Sequence, residues 1–192
     1  MYKLFGAILY VALWATCWAQ TMVHVPEGFV LQRLEETDGQ IAMPKDWFYA
    51  SRGTPSGWVW TLSKEDTKLG KYQTGMRIQV FFGVEKGTGD SRDAFVKKVF
   101  ASKRSSAQVL KECPRLDQGM FYRQCMEVIE TVPGPDRSAA YRILYSMHSG
   151  KEMDMVVAST FGAPPDTWKE AGPIAYVMAE FVLIGPTFGK TK

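Results

Sequence analysis

Between Gly75 and Glu85 the chain reads GMRIQVFFGVE. Met76, Ile78, Val80, Phe82 and Val84 fall on one side of a period-two pattern; Arg77, Gln79 and Glu85 fall on the other, interrupted by Phe81. Such alternation predicts an antiparallel strand with one face on a core and the other towards water. Upstream, QIAMPKDWFYAS and GWVWTLSKED each read as a strand, separated by the turn-rich RGTPSG and followed by the polar KEDTKLGK. Downstream the period changes. In GDSRDAFVKKVFASKRSS, Phe95, Val96, Val99 and Phe100 recur at helical spacing, with Lys97, Lys98 and Lys103 off the stripe. Asp90 or Ser91 suits the N-cap, and Asp93 suits the first turn.

Strand patterns then return through the cysteine segment KECPRLDQGMFYRQC, MFYRQCMEVIETV, SAAYRILYSMH and EMDMVVAST, with PGPD as a turn. Tyr141, Ile143, Tyr145 and Met147 alternate with Arg142, Ser146 and His148, while Met153, Met155 and Val157 share a face. If each strand has one core face and one wet face, a two-residue turn at Ser149–Gly150 sets Tyr145 against Asp154. A loop of three or five residues instead pairs Tyr145 with Met155 and Ile143 with Val157, so an odd loop is predicted. Gly150 or a neighbour then supplies a left-handed position, and His148 faces Glu152 on the outside. In the closing APPDTWKEAGPIAYVMAEFVLIG, Asp166 suits an N-cap and Trp168, Ala171, Ala175, Met178 and Val182 suit one helical face. Pro173 inside that pattern predicts a kink or a short first turn; the alternative is a terminal strand, YVMAEFVLI.

Several strands, a helix, four strands and a helix make an α+β domain: a mainly antiparallel β-sheet with two principal helices packed on it. The chain contains no asparagine, so its turns rest on Gly, Pro, Asp and Ser, and it has no N-glycosylation acceptor.

The N-terminus changes the picture. Lys3 precedes an apolar run from Leu4 to Ala15, the length of a signal-peptide core and too short to span a bilayer. Cys17 and Ala19 stand at the spacing of a cleavage site before Gln20. Residues 1–19 are therefore read as a signal peptide and 20–192 as one globular domain with its core at about 40–185, leaving no transmembrane segment after cleavage. Lipidation of Cys17 is the alternative, with Trp14 and Thr16 departing from the usual lipoprotein pattern. Export, to the periplasm or outside the cell, places the chain where disulfides persist. Without Cys17, Cys113 and Cys125 have only each other, and a turn near Gly119 brings them together as a hairpin staple. The net charge of +3 is spread along the chain, so nucleic acid is not an expected partner.

Candidate chemistry is sparse. His24 and His148 are the two histidines. Ser146, His148 and Ser149 lie close in sequence but without a strained nucleophile turn. Gly87 and Gly89 form a lone G-x-G read as a loop. No catalytic residue, metal site or cofactor is predicted. Trp47, Tyr49, Trp58 and Trp60 fall on consecutive strands, Trp58 and Trp60 sharing one face and Trp47 and Tyr49 another. They are core rings or the lining of a ligand groove. The function expected is an exported, non-catalytic binding or accessory domain, its partner another exported or envelope protein or a small ligand. The alternative is an enzyme using outward strand residues Arg142, His148 and Asp154.

The segments IAMPKDWFY, GWVWTLSKED and TGMRIQVFF, with Ile41, Pro44 and Trp47 at the entry of the first, resemble the PsbP/Mog1-type α/β/α sandwich. The resemblance is one of element order over roughly residues 40 to 185. It implies a mostly non-enzymatic family of accessory subunits, nuclear-transport factors and exported proteins, and carries no functional residues over.

Overall fold

The computed structural model describes residues 24–133, 138–180 and 184–185. The expected signal peptide and Cys17 lie outside the described residues, as does Val182. A hairpin of β1 (Phe29–Leu34) and β2 (Gly39–Pro44) opens the fold, followed by β3 (Phe48–Thr54), β4 (Gly57–Ser63) and β5 (Gly75–Phe82). Helices α1 (Val84–Thr88) and α2 (Arg92–Ser106) come next. A second run of strands follows, β6 (Gln108–Gln118), β7 (Phe121–Val132), β8 (Ala139–Gly150) and β9 (Met155–Ala163), and then α3 (Trp168–Ala179). The main sheet has seven antiparallel strands in the order β3-β4-β5-β9-β8-β7-β6. Two meanders thus meet where β9 pairs with β5. The α+β class read from the sequence is the architecture found.

Both faces of this sheet are covered, unequally. Trp60, Leu62, Ile78, Val80, Val157, Phe161 and Leu144 form one apolar layer with Leu34, Ile41 and Met43 of the β1–β2 hairpin and Trp168, Ala171, Ala175 and Met178 of α3. On the opposite face, Val96 and Phe100 of α2 pack on Met126, Val128, Ile143, Met147 and Val156. Ser91 caps α2, its hydroxyl accepting from the Ala94 N–H at 3.2 Å. In α3 the expected stripe of Trp168, Ala171, Ala175 and Met178 is buried, and Pro173 sits on an exposed position.

The sequence reading is corrected in five places. QIAMPKDWFYAS is two strands in two sheets: Pro44 has no N–H to continue the ladder, and its carbonyl accepts from Trp47 N–H in a tight turn. The strand GMRIQVFFGVE stops at Phe82, where Gly83 turns left-handed (φ 65°) into α1. That short helix forms because the Asp154 carboxylate accepts the Glu85 and Lys86 N–H groups, and it takes in Gly87 of the presumed loop. Asp166 lies inside a 3-10 turn, Pro165–Thr167, instead of capping α3. Lys103, expected on the wet side of α2, sits half-buried over the Tyr145 ring.

The fifth correction is the β8–β9 register. Tyr145 pairs with Thr160, Ile143 with Gly162 and His148 with Val157, across an even, six-residue loop. Parity follows from core-against-solvent alternation only when one face is wet. Here the start of β9 is covered on both, Val156 by α2 and Met155 and Val157 by the α3-side layer, so its apolar residues fall on both faces, and His148 faces the α3 layer.

Cys113 and Cys125 are disulfide-bonded, their Cα atoms 4.9 Å apart. The turn falls at Gly119–Met120, Gly119 being left-handed at φ 65°. Continued without a break, the pairing of Gln118 with Phe121 would set Cys113 against Met126. A bulge between Cys113 and Leu116 absorbs the extra residue and brings the cysteines face to face. Pro114, which has no N–H to pair, occupies that bulge. Alkylation of the unfolded, unreduced protein should therefore add no mass at Cys113 or Cys125; two free thiols would refute the pairing.

Candidate functional site

The half of the sheet that α2 leaves open carries a broad concavity. Three strand rows form its floor, in register across β5, β9 and β8: Gly75–Gly162–Ile143, Arg77–Thr160–Tyr145 and Gln79–Ala158–Met147. Because β9 presents only Ala158, Thr160 and Gly162 on this side, the middle of each row is low. The flanking strands carry long side chains, and the result is a cleft of about 870 Å³. A second hollow of about 640 Å³ shares Lys71, Tyr72, Arg77 and Val132 with it and continues over Ala50, Arg52, Val59 and Thr61 of β3 and β4.

One rim is the loop from Lys64 to Thr74. Its ends are pinned by Lys64 N–H to Thr74 C=O at 2.9 Å. The Glu65 carboxylate accepts the Gln73 and Thr74 N–H groups, both at 3.1 Å. Lys71, Tyr72 and Gln73 are thereby held at the edge. The opposite rim is the β7–β8 end, with Val132, Pro133, Ala139 and Tyr141.

The electrostatics are one-sided. Among the described residues neither lining contains Asp or Glu. Arg52, Lys71 and Arg77 have no ion-pair partner among the described residues, whereas nine other cations do. Arg77 donates from Nη2 to Gln79 Oε1 at 3.1 Å, which leaves the Gln79 amide NH₂ free to donate outward. Burial raises the pKa of the Tyr72 phenol, against the opposing pull of Arg77. Tyr145 donates to Glu130 at 2.7 Å beneath Lys103, and burial, then Glu130, keeps its proton on. The cleft therefore presents donors and cations along a largely carbon floor.

The rings singled out in the sequence lie elsewhere. Trp60 is 0 % exposed in the α3-side layer, so it offers a ligand no surface, which corrects its reading as a groove residue. Trp47, Tyr49 and Trp58 lie on that same layer, half-buried. Trp47 stacks on Phe161 (centroids 6.1 Å) and Trp58 meets Phe82 edge-on (5.6 Å). Tyr49 donates to Glu35 at 2.6 Å. Of these contacts only the Tyr49–Glu35 bond reaches the turn of the β1–β2 hairpin, and none of the four rings lines the cleft.

Arg142, His148 and Asp154 are not brought together. Asp154 caps α1, and Arg142 pairs with Glu127 and covers the Trp168 ring. Ser146 and His148 do meet, Oγ to Nε2 at 3.3 Å, but Ser146 is 1 % exposed and accepts from Arg123. A hydroxyl so enclosed is a packing group. Among the described residues no cluster of His, Cys, Asp and Glu is placed to hold a metal, and no helix is long and apolar enough to cross a membrane. The sequence signal that pointed to the cleft was the outward pair Arg77 and Gln79 on β5.

No protein-family model matches this sequence, and no curated protein matches it. Among solved structures it is similar to cyanobacterial PsbP (CyanoP) from Synechocystis sp. PCC 6803, at 10 % identity and a TM-score of 0.49, over 82 % of this chain and 93 % of that one. A Pseudomonas aeruginosa protein of unknown function, a putative regulator, is similar at 11 % identity and a TM-score of 0.44, over 83 % and 99 %. A Bacteroides thetaiotaomicron VPI-5482 protein is similar at 15 % identity and a TM-score of 0.43, over 77 % of this chain; the present chain spans only 45 % of that protein. Likeness of this degree says nothing of a ligand.

Proposed function

We propose that the chain is an exported, non-catalytic binding domain whose ligand lies in the cleft over β5, β9 and β8. The observation that carries this is a pre-formed trough of ligand size, floored by small residues and lined with donors, into which no nucleophile–base pair opens among the described residues. Export rests on the apolar run from Leu4 to Ala15 and on the Cys113–Cys125 bridge.

A fragment screen read by amide chemical shifts tests the site. Hits should move Arg77, Thr160 and Gly162, and Ala158→Trp, which fills the floor, should abolish them while leaving the thermal midpoint of the fold within a few degrees. Hits that map elsewhere, or that survive Ala158→Trp, would remove the cleft from consideration.

A further inference from the structure

We infer that the cleft takes an amphipathic organic anion: a carboxylate or phosphate held by Arg77, Gln79 and Lys71, on a ring-bearing or otherwise apolar body lying over β9. The inference rests on the cleft being the binding site and adds the chemistry of what fills it.

Arg77 and Gln79 stand two residues apart on the same face of β5, and the guanidinium already uses the amide oxygen of Gln79. What remains is a side-by-side set of donors, several guanidinium N–H groups and the amide NH₂, with Lys71 above them on the rim. Planar donor sets of this kind match the two oxygens of a carboxylate or the face of a phosphate. Among the described residues no carboxylate lines either hollow, and Arg52, Lys71 and Arg77 all lack an ion pair. A neutral ligand would leave these cations merely hydrated, whereas an anion gains from all three.

The rest of the lining sets the body of the ligand. Arg77 and Tyr145 sit in one row with Thr160 between them, so their strands are about 10 Å apart, two inter-strand spacings. That gap admits a flat ring lying on Ala158 and Thr160. At Gly162 the surroundings are purely carbon: a Cβ built there would come within 3.7 Å of Ile143 Cγ1 and 4.0 Å of Tyr141 Cδ1, and nothing closer. The acid end of the ligand therefore points to Arg77 and the apolar end runs towards Gly162 and Tyr141.

Calorimetric titration with 2-naphthoate, 2-naphthyl phosphate and the neutral 2-naphthamide tests this. At least one of the two anions should bind tenfold or more tightly than the amide, with affinity falling as salt is raised. Arg77→Gln, at an exposed position without an ion pair, should erase that preference and leave amide binding unchanged. Equal affinity for anions and amide, or an Arg77→Gln variant that keeps the preference, overturns the inference while leaving the cleft as a site for neutral ligands. Anion binding that persists in Ala158→Trp overturns both this inference and the reading of the cleft itself.

Discussion

Replacing Glu127 by alanine should lower the unfolding free energy by about 2–3 kcal/mol, the loss expected when hydrogen bonds to a buried charged group are removed. Glu127 is 3 % exposed on β7, on the sheet face beneath α3. Its two carboxylate oxygens are divided between elements: Oε1 receives Arg142 Nε from β8, and Oε2 receives the Tyr176 hydroxyl of α3 at 2.6 Å. Burial, with Glu127 second, pushes the Tyr176 phenol up to about 12, so it stays a donor at any ordinary pH. Removing the carboxylate leaves the Arg142 guanidinium over Trp168 without its counter-ion and leaves Tyr176 without an acceptor. Glu127→Gln keeps an acceptor and loses only the charge, so it should fall between wild type and alanine. In urea unfolding, Arg142→Ala combined with Glu127→Ala should be less damaging than the sum of the two, because both single variants lose the same ion pair. A Glu127→Ala variant within about 1 kcal/mol of wild type would show the network to be idle.

The same network shows what a single sequence hides. Arg142, Ser146 and His148 alternate with Tyr141, Ile143, Tyr145 and Met147 and look like the wet side of β8. In the fold they face α3, because the sheet has a cover on each side and the polar residues of one cover satisfy those of the other. Period two reports that a strand has two faces; it does not say which is wet. That ambiguity inverted the β8–β9 register and the expected surface pair of His148 with Glu152. Where one signal was unopposed, the reading held. Up to Phe82 the β5 alternation is as the sequence predicts, and the α2 stripe and its Ser91 cap are local signals. The Cys113–Cys125 hairpin was readable from spacing, although the bulge that makes the register work was not.

The cleft belongs to a third category. Arg77 and Gln79 were visible as outward polar residues of β5. What turns them into the wall of a concavity is the low floor of β9, some eighty positions downstream, and the short reach of α2 across the sheet. Ala158, Thr160 and Gly162 are unremarkable in sequence and matter only as neighbours of β5. The aromatic cluster drew notice instead, and its rings belong to the α3-side layer, since large apolar rings on central strands are buried wherever a cover exists.

The pH dependence of stability should carry a contribution from His148, lost on the acid side. Burial, and secondarily the positive charge of Arg123, lower its pKa from 6.5 to about 4. The ring lies opposite Arg123 and Val157, edge-on to Phe121 at 6.5 Å and against Ser146; the nearest carboxylate in the group, Glu180, is taken by Arg123 at 3.0 Å. Nothing there welcomes a second cation. The native pKa is depressed below the unfolded value, so the contribution is whole above pH 6.5, where both states hold a neutral ring. It falls as the unfolded chain takes up a proton that the native chain refuses, and stops falling once the native ring also protonates below about pH 4. Linkage puts the loss at about 2 kcal/mol by pH 5 and about 3 kcal/mol by pH 4. Carboxylates titrate across the lower part of this window, so the comparison that isolates the effect is with His148→Gln, which keeps a polar, non-titrating group of similar reach. Between pH 7 and 5 the wild type should lose about 2 kcal/mol more than the variant in chemical denaturation, and parallel curves for the two proteins would show that His148 is not the group responsible.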